Sequence, residues 1–219
     1  MAGQADITRS RGDFGEPGLR LEQDLWAQGI RYVGGMDEAG RGALAGPVSA
    51  AVVVLPADPE IKSPLSMVRD SKLLTPAGRE RAARAVRECA VAWGVGYASA
   101  AEIDQAGILP ATRLAMLRAV QSLPLLPEYF LLDYIHWPQL TSPHLVIPKG
   151  EWHSLSIAAA SVIAKTERDR LMLDLDDQYP GYGLARHKGY GTESHREAIR
   201  RLGPSAEHRQ SFCLGSMER

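Results

Sequence analysis

IRYVGGMDEAGRGALAGPVSAAVVVL, residues 30–55, decides how this chain is read. Ile30 to Met36 predicts a first strand, and the valine-rich run Pro47 to Leu55 predicts a second, well buried one. Between them stand two adjacent carboxylates, Asp37 and Glu38, followed by Gly40, Arg41 and Gly42. Carboxylates at the end of a buried strand are costly unless they are paired, protonated or bound to a cation. Successive strand residues point to opposite faces, so the pair serves one site only if the strand ends or bends there. Gly34, Gly35 and Gly40 make a bend easy. A solvated acidic turn is the plainer reading of this motif alone. The spacing of Gly40, Gly42 and Gly46 is not that of a dinucleotide-binding fingerprint.

Outward from this stretch, Leu19 to Gln28 predicts a short helix with Leu19, Leu21, Leu25 and Trp26 on its apolar face. Residues 1–18 predict a loose tail. Thr75 and Pro76 form an N-cap and first position for a helix continuing through Gly78 to Cys89. Val91 to Ala98 predicts a third strand. Ala101 to Leu123 is mainly helical, broken near Gly107 and Pro110, with Ala111, Leu114, Ala115, Leu117 and Val120 facing inward. Short strands follow at Glu128 to Leu132 and His144 to Ile147. Ser154 to Leu175 predicts a long helix whose first half, Ile157 to Ala164, is small and apolar nearly all round, as burial requires. Thr192 to Leu202 predicts a last helix. The order implies an α/β fold: a mixed five-stranded sheet with its first three strands antiparallel, helices on both faces, and a C-terminal helical extension. The expected divisions are 1–18, 19–178 and 179–219.

The 219 residues are 45% hydrophobic and 23% charged, with a net charge near −1. That balance argues against coating nucleic acid by charge alone, but permits a local basic groove. Apolar runs such as residues 48–56 fall short of the ~20 residues a membrane span needs. No secretory leader pattern follows Met1, so a cytoplasmic location is expected. Cys89 and Cys213 form no disulfide framework and read as small hydrophobes.

Three further segments carry chemistry. Asp133 ends the apolar strand FLLD, where an α/β sheet offers its binding crevice; it serves a turn equally well. Lys149-Gly150-Glu151 precedes the long helix, which Ser154 or Ser156 could cap; Glu151 alone reads as a structural anion there. Arg186 with HKGYGT (187–192) combines cations, glycines and Tyr190, whose ring can stack on a sugar or base. His208, Arg209, Ser211 and Phe212 repeat the basic-aromatic mix.

Together these segments resemble the ribonuclease HII family. The matching stretches are GGMDEAGRGALAGPVSAAVV (34–53), DSKLLTP (70–76), ILPATRLAM (108–116), FLLD (130–133), KGEWHSLSIAAASVIAKTERDR (149–170), YPGYGLARHKGYGT (179–192) and GPSAEHRQSF (203–212). The related type 3 enzymes carry a further N-terminal domain, for which the residues before Ile30 leave no room, so a type 2 enzyme is expected. The resemblance implies a ribonuclease H-like fold and an acidic quartet, Asp37, Glu38, Asp133 and Glu151, binding two Mg²⁺ or Mn²⁺ ions. It implies that Gly40, Arg41, Gly42 and Tyr190 recognise the junction between ribose and deoxyribose. The expected activity is endonucleolytic hydrolysis at ribonucleotides in RNA/DNA hybrids, and at single ribonucleotides embedded in duplex DNA, by a monomer. Lys72, Lys149, Arg186 and Lys188, with Arg41, are candidate phosphate contacts. Two positions depart from the family pattern: Glu151 stands where aspartate is usual, and Tyr134 where glycine is usual. A DNA junction resolvase, a hybrid-binding module without catalysis and a nucleotide-binding enzyme are the competing readings.

Overall fold

The computed structural model describes residues 16–214. Its helices are α1 (Arg20–Trp26), α2 (Pro76–Cys89), α3 (Ala100–Ala106), α4 (Ile108–Gln121), α5 (Leu155–Gln178), α6 (Leu184–His187) and α7 (Glu193–Leu202). Its strands are β1 (Val33–Ala39), β2 (Val48–Val54), β3 (Ala92–Ala98), β4 (Tyr129–Asp133) and β5 (His144–Ile147). The loose tail expected at 1–18 lies, up to residue 15, outside the described residues. Its end is tied down, since the Leu155 N–H donates to the Gly18 carbonyl at 2.8 Å.

The five strands form one sheet in the order β3-β2-β1-β4-β5. β1–β2 and β2–β3 pair antiparallel, while β1–β4 and β4–β5 pair parallel. Every residue of β2 is buried because helices cover both of its faces. On one face Ala51 and Val53 meet Ala158, Ala159, Val162 and Ile163 of α5, with α2 alongside. On the other, Met36, Val52 and Phe130 meet Ala111, Ala115 and Met116 of α4.

Small residues set how closely the layers approach. A Cβ on Gly35 would lie 2.2 Å from the Ser156 backbone carbon, so α5 rests directly on β1. α4 lies against β3 in the same way: a Cβ on Gly96 would come within 2.2 Å of the Ala115 carbonyl. This rotates α4 from its expected orientation. Ala111, Thr112, Ala115, Met116 and Ala119 are buried, and Leu117 turns outward.

Three other expectations shift. β1 does not stop at Met36 but continues through Asp37, Glu38 and Ala39, paired with Ala51, Ala50 and Ser49. Glu22, on a helix expected to present only apolar side chains inward, is fully buried. Its Oε1 accepts from the Ser154 and Ser156 hydroxyls and the Ser156 N–H, while Ser154 caps α5. Cys213 is exposed rather than packed as a hydrophobe. Beyond α5, residues 184–212 fold back on the 40–46 loop, where Ala43 bridges to Tyr190 and Ala45 to His208. No helix among the described residues is long and apolar enough to cross a membrane.

Candidate active site

Parallel pairing carries two of the acids to one place. Met36 is in register with Leu132 on neighbouring parallel strands, so Asp37 and Asp133 follow side by side at the strand ends. β4 ends at Asp133, which leaves the edge of β1 open from Asp37 onward. Glu151 enters from a single 3-10 turn, Gly150–Trp152, just before α5. Lys149 begins that turn in the left-handed region (φ 56°), and the Gly150 N–H donates to Asp133 Oδ1 at 2.7 Å. Glu38 alternates away from Asp37 along the strand; its Oε1 accepts from Arg41 at 3.0 Å.

The charges of the four carboxyls act on one another in pairs. Burial, then the charges of Glu38 and Asp133, hold Asp37 well above the ordinary carboxylate range; the Ser161 hydroxyl and the Glu38 N–H only partly oppose this. Burial raises Glu38 against the pull of Arg41 and Lys72, and Glu151 raises it further. Burial raises Asp133, with the Gly150 N–H opposing. Burial and then Asp133 raise Glu151. Burial pulls the Lys72 ammonium down, but Asp70, Asp37, Glu151 and Asp133 more than reverse it, and Lys72 ends above its usual value.

Among the described residues no group of three or more acids, histidines or cysteines is placed closely enough to hold a metal ion as it stands. Mutual repulsion explains an open arrangement, with Lys72 as the nearby cation. The donor set nonetheless suits a hard divalent cation. Every candidate ligand is a carboxylate, and the buried Oε2 atoms of Glu38 and Glu151 have no hydrogen-bond partner.

Beside the acids lies a cavity of about 510 Å³. Glu38, Gly40, Arg41, Gly42, Lys72 and Tyr190 line it, along with Ser71, Ser161 and Lys165. The glycine loop and the tyrosine, separated by some 150 positions, thus meet at one opening. Lys149 is exposed and sits 4.6 Å from the Trp152 ring centroid. Arg186 and Lys188 lie apart from this cavity, in a second groove with Arg79 and Asp169.

Sequence reasoning passed over several residues that build the site. Ser161, Lys165 and Arg168 recur at helical spacing on α5; polar residues at that interval in an apolar run were the available signal. Ser161 bonds to Ser71 at 3.0 Å and to Asp37. Lys165 and Arg168 stand 5.4 and 5.6 Å from the Tyr190 ring centroid. Behind Tyr190, its carbonyl meets His195 Nδ1 at 2.9 Å, and His195 Nε2 meets His208 Nε2 at 3.1 Å. The Ser205 N–H donates to His208 Nδ1, which makes His208 Nε2–H the donor to His195 and His195 Nδ1–H the donor to Tyr190.

A mixed five-stranded sheet with acids gathered at the ends of adjoining parallel strands defines a nuclease of the ribonuclease H type. The comparisons narrow the class. The ribonuclease HII family model matches residues 34–214. The ribonuclease HII of Synechococcus sp. (strain JA-3-3Ab) is 53% identical over 200 residues, 90% of this chain and 89% of that one. Among solved structures, ribonuclease H2 from Pyrococcus horikoshii OT3 superposes with a TM-score of 0.67 at 26% identity, over 84% of this chain and 94% of that one. Bst-RNase HIII in complex with Mn²⁺ gives 0.67 at 22% identity, over 84% and 68%, a likeness of fold. The chain belongs to the ribonuclease HII family and is an endoribonuclease, a hydrolase of RNA/DNA substrates.

Proposed function

We propose that this chain hydrolyses the phosphodiester at ribonucleotides in RNA/DNA hybrids and at single ribonucleotides within duplex DNA, leaving 5′-phosphate and 3′-hydroxyl ends. What supports the reading is that Asp37 and Asp133 end adjoining parallel strands, the Glu151 turn is tied to Asp133, and Glu38 lines the cavity formed with the Gly40–Gly42 loop and Tyr190. Asp37, Glu38, Asp133 and Glu151 would hold Mg²⁺ or Mn²⁺, two ions with substrate present. Bst-RNase HIII, of the same fold, has been solved with Mn²⁺. The chemistry supplied there would be a water of lowered pKa and a counter-charge for the leaving oxygen.

The chain's own residues supply the rest. Asp37 would be the central ligand of the set on this reading, because it is the most buried of the four and feels both Glu38 and Asp133. Ser161 and the Glu38 N–H orient its carboxylate. Lys72 counters the cluster's charge at the cavity wall, where it would meet a substrate phosphate. The 2′-hydroxyl distinguishes ribose from deoxyribose, and backbone groups of Gly40 to Gly42 with the Tyr190 hydroxyl are its readers. Base sequence then matters little. Arg41 contributes a phosphate contact at the cavity; Lys149, Arg186 and Lys188 do so farther along the duplex.

The direct test is cleavage of a DNA duplex carrying one ribonucleotide, with Mg²⁺ and Mn²⁺ in turn, beside an all-DNA duplex and an all-DNA four-way junction. Cutting confined to the ribonucleotide is the expected result. Cutting of the junction, or binding without metal-dependent cutting, overturns the reading.

A further inference from the structure

Two arginines lie wholly buried beneath the loop that runs from Gly40 to Pro47: Arg168 on α5 and Arg209 in the C-terminal segment. Neither is ion-paired with a carboxylate among the described residues; both spend their donors on backbone carbonyls. Arg168 donates to Pro47, Lys188 and Ala45 at 2.8, 2.9 and 3.1 Å. Arg209 donates to Gly46, Arg41 and Gly40 at 3.0, 2.9 and 2.8 Å. A guanidinium buried without a counter-charge is expensive, so its cost must be offset by something the fold or its ligand requires.

The geometry of the peptide group says what Arg209 does. A trans peptide is planar, and its N–H points opposite its C=O. Drawing the Gly40 and Arg41 carbonyls inward therefore turns the N–H groups of Arg41 and Gly42 outward, to the cavity these residues line. Among the described residues neither N–H donates to another backbone or side-chain group. Two neighbouring outward N–H groups with positive charge behind them form an anion-binding concavity.

We infer that Arg209 is a positioning residue for substrate: it presets the Arg41 and Gly42 N–H groups, and its buried charge is completed when an anionic sugar-phosphate backbone lies over the loop. The inference rests on the reading of Gly40 to Gly42 as the substrate loop. Arg209 does not touch substrate. It is itself pinned from the far side, because half-buried Asp104 on α3 accepts from the Gln210 and Ser211 N–H groups, both at 2.8 Å, and from the Ser211 hydroxyl at 2.6 Å. Lysine cannot replace it, since one ammonium does not reproduce a planar fork reaching three carbonyls.

The test compares Arg209→Lys with the native protein in two measurements. The first is the ratio of variant to native cleavage efficiency on a one-ribonucleotide duplex. The second is the pair of amide signals of Arg41 and Gly42, read by ¹⁵N NMR. The expected result is a ratio lowered by about tenfold or more, the scale of losing two good hydrogen bonds, with both amide signals displaced. A folded Arg209→Lys protein with native efficiency and unmoved amide signals overturns the inference. If that variant does not fold, Asp104→Ala decides: a lowered ratio supports the role and an unchanged ratio overturns it. A native protein that fails to cut the one-ribonucleotide duplex defeats the substrate reading instead, and the amide signals alone then decide for Arg209.

Discussion

Asp37 and Asp133 stand next to each other on neighbouring parallel strands, one position beyond the Met36–Leu132 register. Burial makes ionisation costly for Asp37, and the charges of Glu38 and Asp133 add to that cost. Asp37→Asn therefore has two opposite effects. Metal-dependent cleavage falls by more than about 100-fold, beyond the 10–100-fold that losing an outer partner of a metal ligand costs. The metal-free protein becomes more stable at neutral pH. The native carboxyl titrates above its ordinary 3.8, so folding takes up a proton between that value and the raised one. Its contribution to stability is present at low pH and lost as pH rises through the folded value. Thermal unfolding in chelator should show a gain of a few degrees near neutral pH that shrinks as pH falls toward 3.8. A variant that still cuts, or that melts lower at every pH, rules out this site.

Gly35 is where the sheet meets the helix that carries Ser161. Its missing side chain lets the Ser156 and Ile157 backbone come within 2.2 and 2.4 Å of where a Cβ would be. Backbone cannot swing aside as a side chain can. Gly35→Ala should therefore lower stability by about 1–3 kcal/mol or more, as overpacked cores do. It should also reduce activity, because α5 moves away from Asp37. Chemical denaturation gives the first number; an unchanged midpoint would show that α5 yields freely.

Asp37, Glu38 and Asp133 stood out in the sequence because charge at the end of an apolar run is anomalous on local grounds. Their grouping with Glu151 came from the resemblance alone, since Asp133 reads equally well as a turn and Glu151 as a helix-end anion, whereas the buried long helix followed from its run of small apolar residues. The end of β1 was misplaced because the apolar pattern stops at Met36, whereas pairing with Ala51, Ala50 and Ser49 carries the strand on. Glu22 and Arg209 were not legible as buried residues. The partners that admit them lie 132 and 169 positions away, Ser154 for one and the Gly40 carbonyl for the other. No local periodicity encodes such a bond. Arg186 and Lys188 show the converse: adjacency to Tyr190 in sequence suggested a shared site, yet the left-handed turn at Lys188 and Gly189 sends them to a separate groove.

Acid should loosen the support of Tyr190. His195 is fully buried between His187 and His208, and burial pulls its pKa from 6.5 to about 4. The unfolded chain thus binds more protons than the folded one between those values, and stability rises with pH across that window. Falling pH from 6.5 toward 4 should cost about 1–3 kcal/mol from this residue. His195→Gln should melt with a flatter pH profile than the native chain. Parallel profiles would show that the histidine is not held neutral by the fold.

Tyr190 is the exposed end of that support, 37% accessible as a residue and lining the cavity. Tyr190→Ala should slow cutting at a single embedded ribonucleotide on the order of tenfold or more, the scale of one lost stacking contact. Long hybrids, which offer many ribonucleotides, should suffer less. Tyr190→Phe keeps the ring and separates stacking from the hydroxyl's hydrogen bond. Equal native and Ala rates on the single-ribonucleotide duplex would remove the residue from recognition.

Glu151 stands where the resemblance leads one to expect aspartate, and the turn that holds it is tight. Lys149 lies in the left-handed region, and a Cβ on Gly150 would come within 2.6 Å of Ile157, so the backbone cannot shift easily to compensate for side-chain length. The longer side chain brings an oxygen about one bond length farther into the volume, against cation distances of ~2.0–2.1 Å for Mg²⁺ and a longer reach for larger ions. Its Oε2 is buried without a partner, in keeping with an atom kept free for a ligand. Glu151→Asp should therefore keep or raise Mg²⁺-supported cleavage, and Glu151→Gln should depress it with either ion. Rates with Mg²⁺ and Mn²⁺, measured side by side for the three proteins, separate length from charge. Complete loss in the aspartate variant would mean that the surrounding side chains have been fitted to glutamate, and that the extra methylene is part of the site.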